Sequence, residues 1–444
     1  MRNDNLNPVI RRIAVKANCI LRTPALIGSG FGENTDSDVL RDASGAPFLP
    51  GSTVAGVLRF LCSEAETLFG EADSVSPLWV FDSEFLGASV VEFNGVELDY
   101  DNKVTREKKK YDFEAIDTGA GFTLRLLLTI REDDKSKDYE TLLKKLLGAL
   151  KFGGLAFGAK TRRGFGRVEC VSVDQRAFEL TEGNKKGLQN WLDFLEYDEE
   201  SRIDGWKRPD GWEKASTDEF SSKYSTLAAT LTIDGSIMIR DTRNVYRGLR
   251  EGEKAADCAH ISSAGEPVVL GTSWAGAFRS GLYRLLKQKF PAKAETYLNS
   301  VFGYVKEASY DRKTVAAVSQ IIFGASFLEA VDENIDGYRN ITRVKIDRFT
   351  GGAANGALFS EKPWYGGKTT VEIRFPKGRD DIKELLLLGL DGIDKGLMQV
   401  GGETAVGRGF FQLADDAAVD GIKTTVSGPK LKLADAIQKA GESV

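Results

Sequence analysis

The chain repeats itself. Residues 47–59, PFLPGSTVAGVLR, return at 267–279 as PVVLGTSWAGAFR, an ungapped offset of 220 with glycine, hydroxyl and basic residues in the same places. A repeat of that length demands two homologous lobes before any composition is weighed, because each copy must bury its own apolar face. Alternating apolar residues at 13–20 and 227–233 open each half as a strand. An amphipathic helix follows each glycine-hydroxyl loop and is closed by Gly70 in the first half and Gly303 in the second. A strand pattern at 80–85 is matched at 322–327, an offset of 242, and another at 122–130 is matched at 370–375. Leucines at helical spacing predict second helices over 139–150 and 381–390, each leading into a glycine-rich end at 153–167 or 401–410. Strand, helix, strand, strand, helix, strand is the ferredoxin-like order, which RNA-recognition modules also use.

The expected fold is therefore α+β, with tandem ferredoxin-like (RRM-like) domains at 8–172 and 224–415. Charged arms interrupt them at 100–118 and 339–364. Residues 173–223, with Trp191, Trp206 and Trp212, read as an inserted connector holding one helix near 186–196, its tryptophans core residues rather than stacking platforms. The tail at 416–444 lacks aromatics and is expected to be partly ordered at best.

Composition narrows the function. With 42% hydrophobic and 28% charged residues, the 444-residue chain is ordinarily globular. No apolar run approaches membrane-spanning length and the first residues lack a signal-peptide core, so a cytoplasmic protein with no membrane partner is expected. Cys19, Cys62, Cys170 and Cys258 lie far apart with only His260 as histidine, which indicates buried thiols rather than disulfides or a zinc cluster. A net charge of −5 argues mildly against nucleic acid, yet bases cluster locally: Arg106 with Lys108, Lys109 and Lys110; Lys160 to Arg167; Arg240 with Arg243, Arg247 and Arg250; and Arg343 with Lys345 and Arg348.

Those clusters nominate sites. Gly51, Ser52, Thr53 and Arg59, with Gly271, Thr272, Ser273 and Arg279, combine backbone N–H groups, hydroxyls and a helix N-terminus suited to a phosphate; a plain helix cap would use the same residues. Lys160, Arg162, Arg163 and Arg167, and Arg408 in the second copy, interleave cations with glycines, which favours contact with a nucleic-acid backbone over a simple turn. Lys345 and Arg348 place two more cations on the second arm.

Residues 42–53 (DASGAPFLPGST), the arm segment 344–359 (VKIDRFTGGAANGALF) and the glycine-rich ends resemble, in that order, the RAMP superfamily of CRISPR-associated proteins. More narrowly the chain looks like two fused backbone subunits of a type III effector complex. The resemblance implies partners: a CRISPR guide RNA, a target RNA and other effector subunits. It also implies that each arm pries one nucleotide from the guide-target duplex and that an aspartate before the Pro-Gly-Ser motif cuts the target RNA. Asp36 falls on that position in the loop 32–42, where a carboxylate can hold Mg²⁺ or Mn²⁺ and orient a 2′-hydroxyl; an Asx turn would also suit this loop. An offset of 220 puts Ala256 opposite Asp36, with Asp257 one residue beyond as the second catalytic candidate or a turn former. Where the family carries a lysine after the hydroxyls, this chain has Ala55 and Ala275. A structural assembly subunit without nuclease activity and a transcript-processing endoribonuclease are the alternatives; the latter relies on histidine, of which there is one.

Overall fold

A computed structural model describes residues 7–30, 32, 35–62, 67–70, 75–98, 105–134, 136–152, 154–196, 205–210, 212, 223–246, 254–306, 315–332, 334 and 336–440. The chain divides into two compact units. The first comprises Met1–Glu92, Glu114–Ala159 and Gly166–Ser222; the second comprises Phe93–Phe113, Lys160–Phe165 and Lys223–Val444.

In the first unit, β1 (Val9–Leu21) pairs antiparallel along its length with both β6 (Gly121–Arg131) and β7 (Val168–Glu179). The second-strand pattern resolves into two pieces, β2 (Leu78–Val80) and β3 (Ser83–Leu86), both on β6. The order β7-β1-β6-β2 places the fourth strand beside the first and the third beside the second, the ferredoxin-like arrangement. Period-2 alternation sends Ile13, Val15, Ala17, Cys19 and Leu21 of β1 and Phe122, Leu124, Leu126 and Leu128 of β6 to one face. That face is covered by α1 (Gly51–Leu61) through Val54 and Leu58, and by α2 (Tyr139–Phe152) through Leu143, Leu146, Leu147 and Leu150. Each such leucine, fully buried, contributes about 1.5–3 kcal/mol. β4 (Val90–Leu98) and β5 (Thr105–Ile116) form the first arm hairpin, of which Phe93–Phe113 belongs to the second unit.

Residues beyond 172 are no free connector. β7 continues to Glu179, and α3 (Lys185–Glu196) lays Trp191 on the opposite face of the sheet against Ala14, Leu127 and Phe178. The Arg12 guanidinium stacks over Trp191 at 4.4 Å, and Trp212 joins the main core.

The second unit repeats the plan. β8 (Tyr224–Asp234) lies between β12 (Lys368–Pro376) and β13 (Phe410–Leu413), while β9 (Ile322–Phe323) lines the far side of β12. The single helix expected before Gly303 is two, α4 (Gly271–Lys289) and α5 (Ala294–Phe302), with Gly303 at φ 78° as the stop. β10 (Ile341–Ile346) and β11 (Ala353–Lys362) form the second arm, and α6 (Asp380–Asp394) is the second core helix. The tail, expected to be partly ordered at best, is built into the fold over its described residues: β14 (Ala417–Val419) pairs with β8, and α7 (Leu431–Lys439) buries Leu433 and Ile437 in the core. Aliphatic residues four apart sufficed where aromatics were absent.

Candidate nucleic-acid interface

Hydrogen bonds settle how the two copies correspond. Leu40 N–H donates to Ile27 O and Phe48 N–H to Leu40 O; in the second copy Ile261 N–H donates to Ile239 O and Val268 N–H to Ile261 O. Leu40 therefore matches Ile261, an offset of 221, because the 42–46 turn is one residue longer than its counterpart. Asp36 consequently stands opposite Asp257, and not opposite Ala256. In the same way Phe81 N–H donates to Arg125 O and Gly324 N–H to Glu372 O, which corrects the 242 offset to 243.

In the first unit three motifs meet at a hollow of about 490 Å³, lined by Gly28, by Ser37 of the Asp36 loop, by Thr53 of α1, and by Gly158 and Ala159 of the glycine-rich end. Asp36 is exposed in that loop. Asp38 Oδ1 accepts from Thr35 N at 3.0 Å and Thr35 Oγ1 at 2.7 Å, and the Asx turn of the loop belongs to Asp42, whose Oδ1 accepts from Ser44 N at 2.8 Å. Glu33 and Asn34 lie outside the described residues. Glu114, at the root of the arm, ties the loop down: it accepts from Val39 N at 3.0 Å and from Arg41 Nη2 at 3.0 and 3.1 Å.

The repeated glycine is explained by packing. A Cβ on Gly51 would lie 2.4 Å from Val80 O, and one on Gly271 would lie 2.3 Å from both Arg163 O and Phe323 O. Pro50 and Leu270, not the hydroxyls, hold the cap positions, so Ser52, Thr53, Thr272 and Ser273 are no helix caps. Gly51 N–H donates to Asp82 Oδ1 at 2.6 Å, so that amide of the first helix already faces a carboxylate. Exposed Ser52 and half-buried Thr53, Thr272 and Ser273 remain at the helix starts. Arg59 donates to the carbonyls of Phe69 and Gly70, and the matching Arg279 donates to Asn299 Oδ1 at 2.6 Å; both brace their helix against the following segment.

The two glycine-rich turns share a backbone but not a chemistry. Lys160 (φ 58°) and Glu403 (φ 60°) occupy equivalent left-handed positions, followed by Gly164 (φ 82°) and Gly407 (φ 88°). Lys160 Nζ sits 3.8 Å from the ring of Phe113 and 4.2 Å from that of Tyr111, with Phe93 stacked on Phe113 and Phe165 edge-on to both. Burial, and then the charge of Arg163, lower its ammonium to about 8. Arg162 donates to Tyr224 Oη at 2.5 Å, Arg163 is exposed, and Arg167 is half-buried with its N–H on Thr23 Oγ1.

Arg408 replaces Phe165 at the equivalent place and is buried. Its guanidinium pairs with fully buried Glu361 and, at 2.9 Å, with Glu403 Oε2. Arg343 bridges the same two carboxylates from the arm, and Arg240 Nη2 reaches Glu403 Oε1 at 2.6 Å. Burial raises the Glu403 carboxyl, but the hydrogen bond from Arg240 and the charge of Arg408 outweigh it and hold the group below its ordinary value. Arg408 is thus engaged inside the unit. Arg243, by its side chain, and Arg247 and Arg250 lie outside the described residues, as do the side chains of Arg106, Lys108 and Lys109.

Asp257 is exposed, its Oδ2 accepting from Ser360 N at 2.7 Å. The second arm presents Lys345 and Arg348, both exposed, and Phe349, 99% exposed, at a turn closed by Asp347 Oδ1, which accepts from the N–H groups of Phe349 and Thr350. His260 is enclosed in the core, and burial drives its imidazole down to about 3. Among the described residues no three His, Cys, Asp or Glu side chains gather as a metal cluster. Sequence reasoning missed Asp82, Glu114 and the Glu361–Glu403 pair; Ala25 pairs with Ile116 and Ile237 with Trp364, so Glu361 matches Phe113 of the first arm, and the ion pair Glu361–Arg408 stands where the first copy has Phe113 against Phe165.

Two ferredoxin-like lobes, each carrying a glycine-lined turn and an arm, define a tandem protein of RNA-recognition build. The sequence model of the RAMP superfamily matches residues 18–169 and again 259–412, more than half of the chain, so the chain belongs to that superfamily. Membership brings a CRISPR-associated, RNA-binding role. No curated protein matches it. No helix among the described residues is long and apolar enough to cross a membrane.

Lys160 offers a pH test of RNA grip. Its lowered pKa means that the folded state disfavours the charge below about 8, a cost relieved as pH rises toward the ordinary 10.5. If the ammonium neutralises one phosphate, the salt dependence of RNA binding will lose about one unit of slope between neutral and mildly alkaline pH. Lys160→Gln will show the lower slope throughout; salt titrations followed by fluorescence anisotropy check both.

Proposed function

We propose that the chain is a two-lobe backbone subunit of a type III CRISPR effector, holding guide RNA along its glycine-lined turns and cutting target RNA at Asp36. What supports the reading most is the hollow lined by Ser37, Thr53 and Gly158, since the residue next to the exposed Asp36, a helix start and a close-approach backbone meet there. Sequence is read by base pairing, and the protein holds shape and backbone.

The donor set suits a hard cation shared with substrate. One carboxylate, Asp36, fits an ion that keeps several waters and takes further oxygens from RNA phosphates. Mg²⁺ or Mn²⁺, when bound, would neutralise charge developing on the phosphate. In the proposed step, the arm displaces a nucleotide so that its 2′-oxygen lies in line with the adjacent phosphorus. Asp36 orients the 2′-hydroxyl, whose proton passes to solvent as the 2′-oxygen bonds to phosphorus. The bond from phosphorus to the 5′-oxygen breaks and that oxygen is protonated, leaving a 2′,3′-cyclic phosphate and a 5′-hydroxyl. Asp257 holds the equivalent place in the second lobe.

The transcript-processing alternative is disfavoured by His260, which is buried and neutral and reaches no surface. Cleavage mapping on a reconstituted complex with labelled target tests the proposal; processing of repeat RNA by the isolated chain without Mg²⁺ would replace it. Phe349→Ala removes the apolar tip of the second arm and should slow the adjacent cut about tenfold, on the order of one lost stacking contact. Guide binding should persist, measured by filter retention alongside the cleavage time course.

A further inference from the structure

We propose that the part of the first sheet's second face that α3 leaves in solvent is a second RNA site, one that stacks unpaired bases on Trp79 and Phe81. It lies opposite the helices α1 and α2. Leu127 marks that face, because it packs under α3 with Ala14, Phe178 and Trp191. Arg125, two residues along β6, shares the face, and its neighbour across the sheet is Lys16. Trp79 sits beside Leu127 in the register of β2, and Phe81 N–H bonds Arg125 O. Trp79 is 50% exposed and Phe81 41%, large aromatic surfaces left in solvent. At the other side of the strip Trp206 covers Lys16 Nζ at 4.6 Å, followed by exposed Lys207 and Arg208. A row of aromatics and cations along the exposed part of a sheet face is the chemistry that binds single-stranded RNA.

The twin lobe supplies the comparison. At the positions of Trp79, Phe81, Arg125 and Lys16 it carries Ile322, Gly324, Glu372 and Ala228, the correspondence following from equivalent hydrogen bonds and strand register. A shared fold therefore does not need the aromatics or the cations, and the charge at Arg125 is reversed in the copy. Asp174, opposite Lys16, and Glu84 border the strip, so the ligand is an unpaired segment held by base stacking with few phosphate contacts rather than a duplex lying along it.

The test uses the full chain and fluorescein-labelled single-stranded RNA of about ten nucleotides, within the span of such sites. 4-Thiouridine in the same oligonucleotide allows crosslinks to be mapped by mass spectrometry. Trp79→Ala should weaken binding about tenfold, Trp79→Phe should restore most of it, and Arg125→Glu should reduce crosslinks to residues 78–81. A duplex of equal length should respond to none of these substitutions. Unchanged affinity together with no crosslinks at 78–81 would overturn the proposal. So would a Trp79→Ala chain that keeps its RNA affinity but changes its sedimentation, since the face would then be a protein contact. The type III reading fails separately: a complex that never cuts target, yet still crosslinks at 78–81, would leave this site standing.

Discussion

Asp36→Ala will leave the chain assembled with guide RNA and abolish one set of target-RNA cuts, slowing them by about 10²–10⁴-fold, the range for losing a group that acts directly on the reacting atoms. Its exposure makes a folding defect an improbable cause of that loss, because surface changes away from caps and cores stay within about 0.5 kcal/mol. Asp257→Ala should remove a different product, spaced from the first by the repeat of the lobes on the guide. The double variant should bind target and leave it intact. Product mapping by denaturing gel decides the matter: if Asp36→Ala leaves every cut in place, the chain is an assembly subunit and cleavage belongs to a neighbour.

Arg408→Ala should produce the largest stability loss. The substitution strips the buried guanidinium from Glu361, which has no solvent access, and from Glu403. Breaking one partner from a buried pair costs about 3–5 kcal/mol, since the remaining charge stays desolvated. Local hydrogen exchange at β11 and at 401–413 should accelerate accordingly, a safer readout than one melting temperature for a chain of two units. Arg408→Phe with Glu361→Leu should recover much of the loss, because the first copy already holds Phe165 at the matching place and apolar replacements of buried ion pairs are often tolerated. The pH dependence has a definite sign. Glu403 is held below its ordinary 4.5, so its stabilisation is complete above that value and is withdrawn as pH falls beneath it. Arg408→Ala exchange rates indistinguishable from the parent would mean that water screens these pairs.

Much of the architecture was legible because periodicity is a local property. The alternation in β1 and β8 and the leucine spacing in α2 and α6 are written in consecutive residues, and each element formed where its pattern lay. Less legible were features joined across long separations. The 42–46 turn is one residue longer than its counterpart, and that single insertion moved the partner of Asp36 from Ala256 to Asp257; a comparison run from the glycine motif backward has no means of placing the gap. Asp82 looked like a strand residue until its carboxylate was found on Gly51 N, which also explains why the strand pattern breaks there.

The amino-acid order on its own determined two lobes, their strand-helix sequence and the glycine-rich turns, since repeat, alternation and backbone freedom depend on neighbours in the chain. Tertiary structure decided which charges face solvent. Arg408 and Lys160 belong to corresponding glycine-rich turns, yet one lies buried between two carboxylates and the other over two aromatic rings. Whether a cation meets an anion, a ring or water depends on residues about fifty to a hundred and sixty positions away in sequence, and on the desolvation that packing imposes.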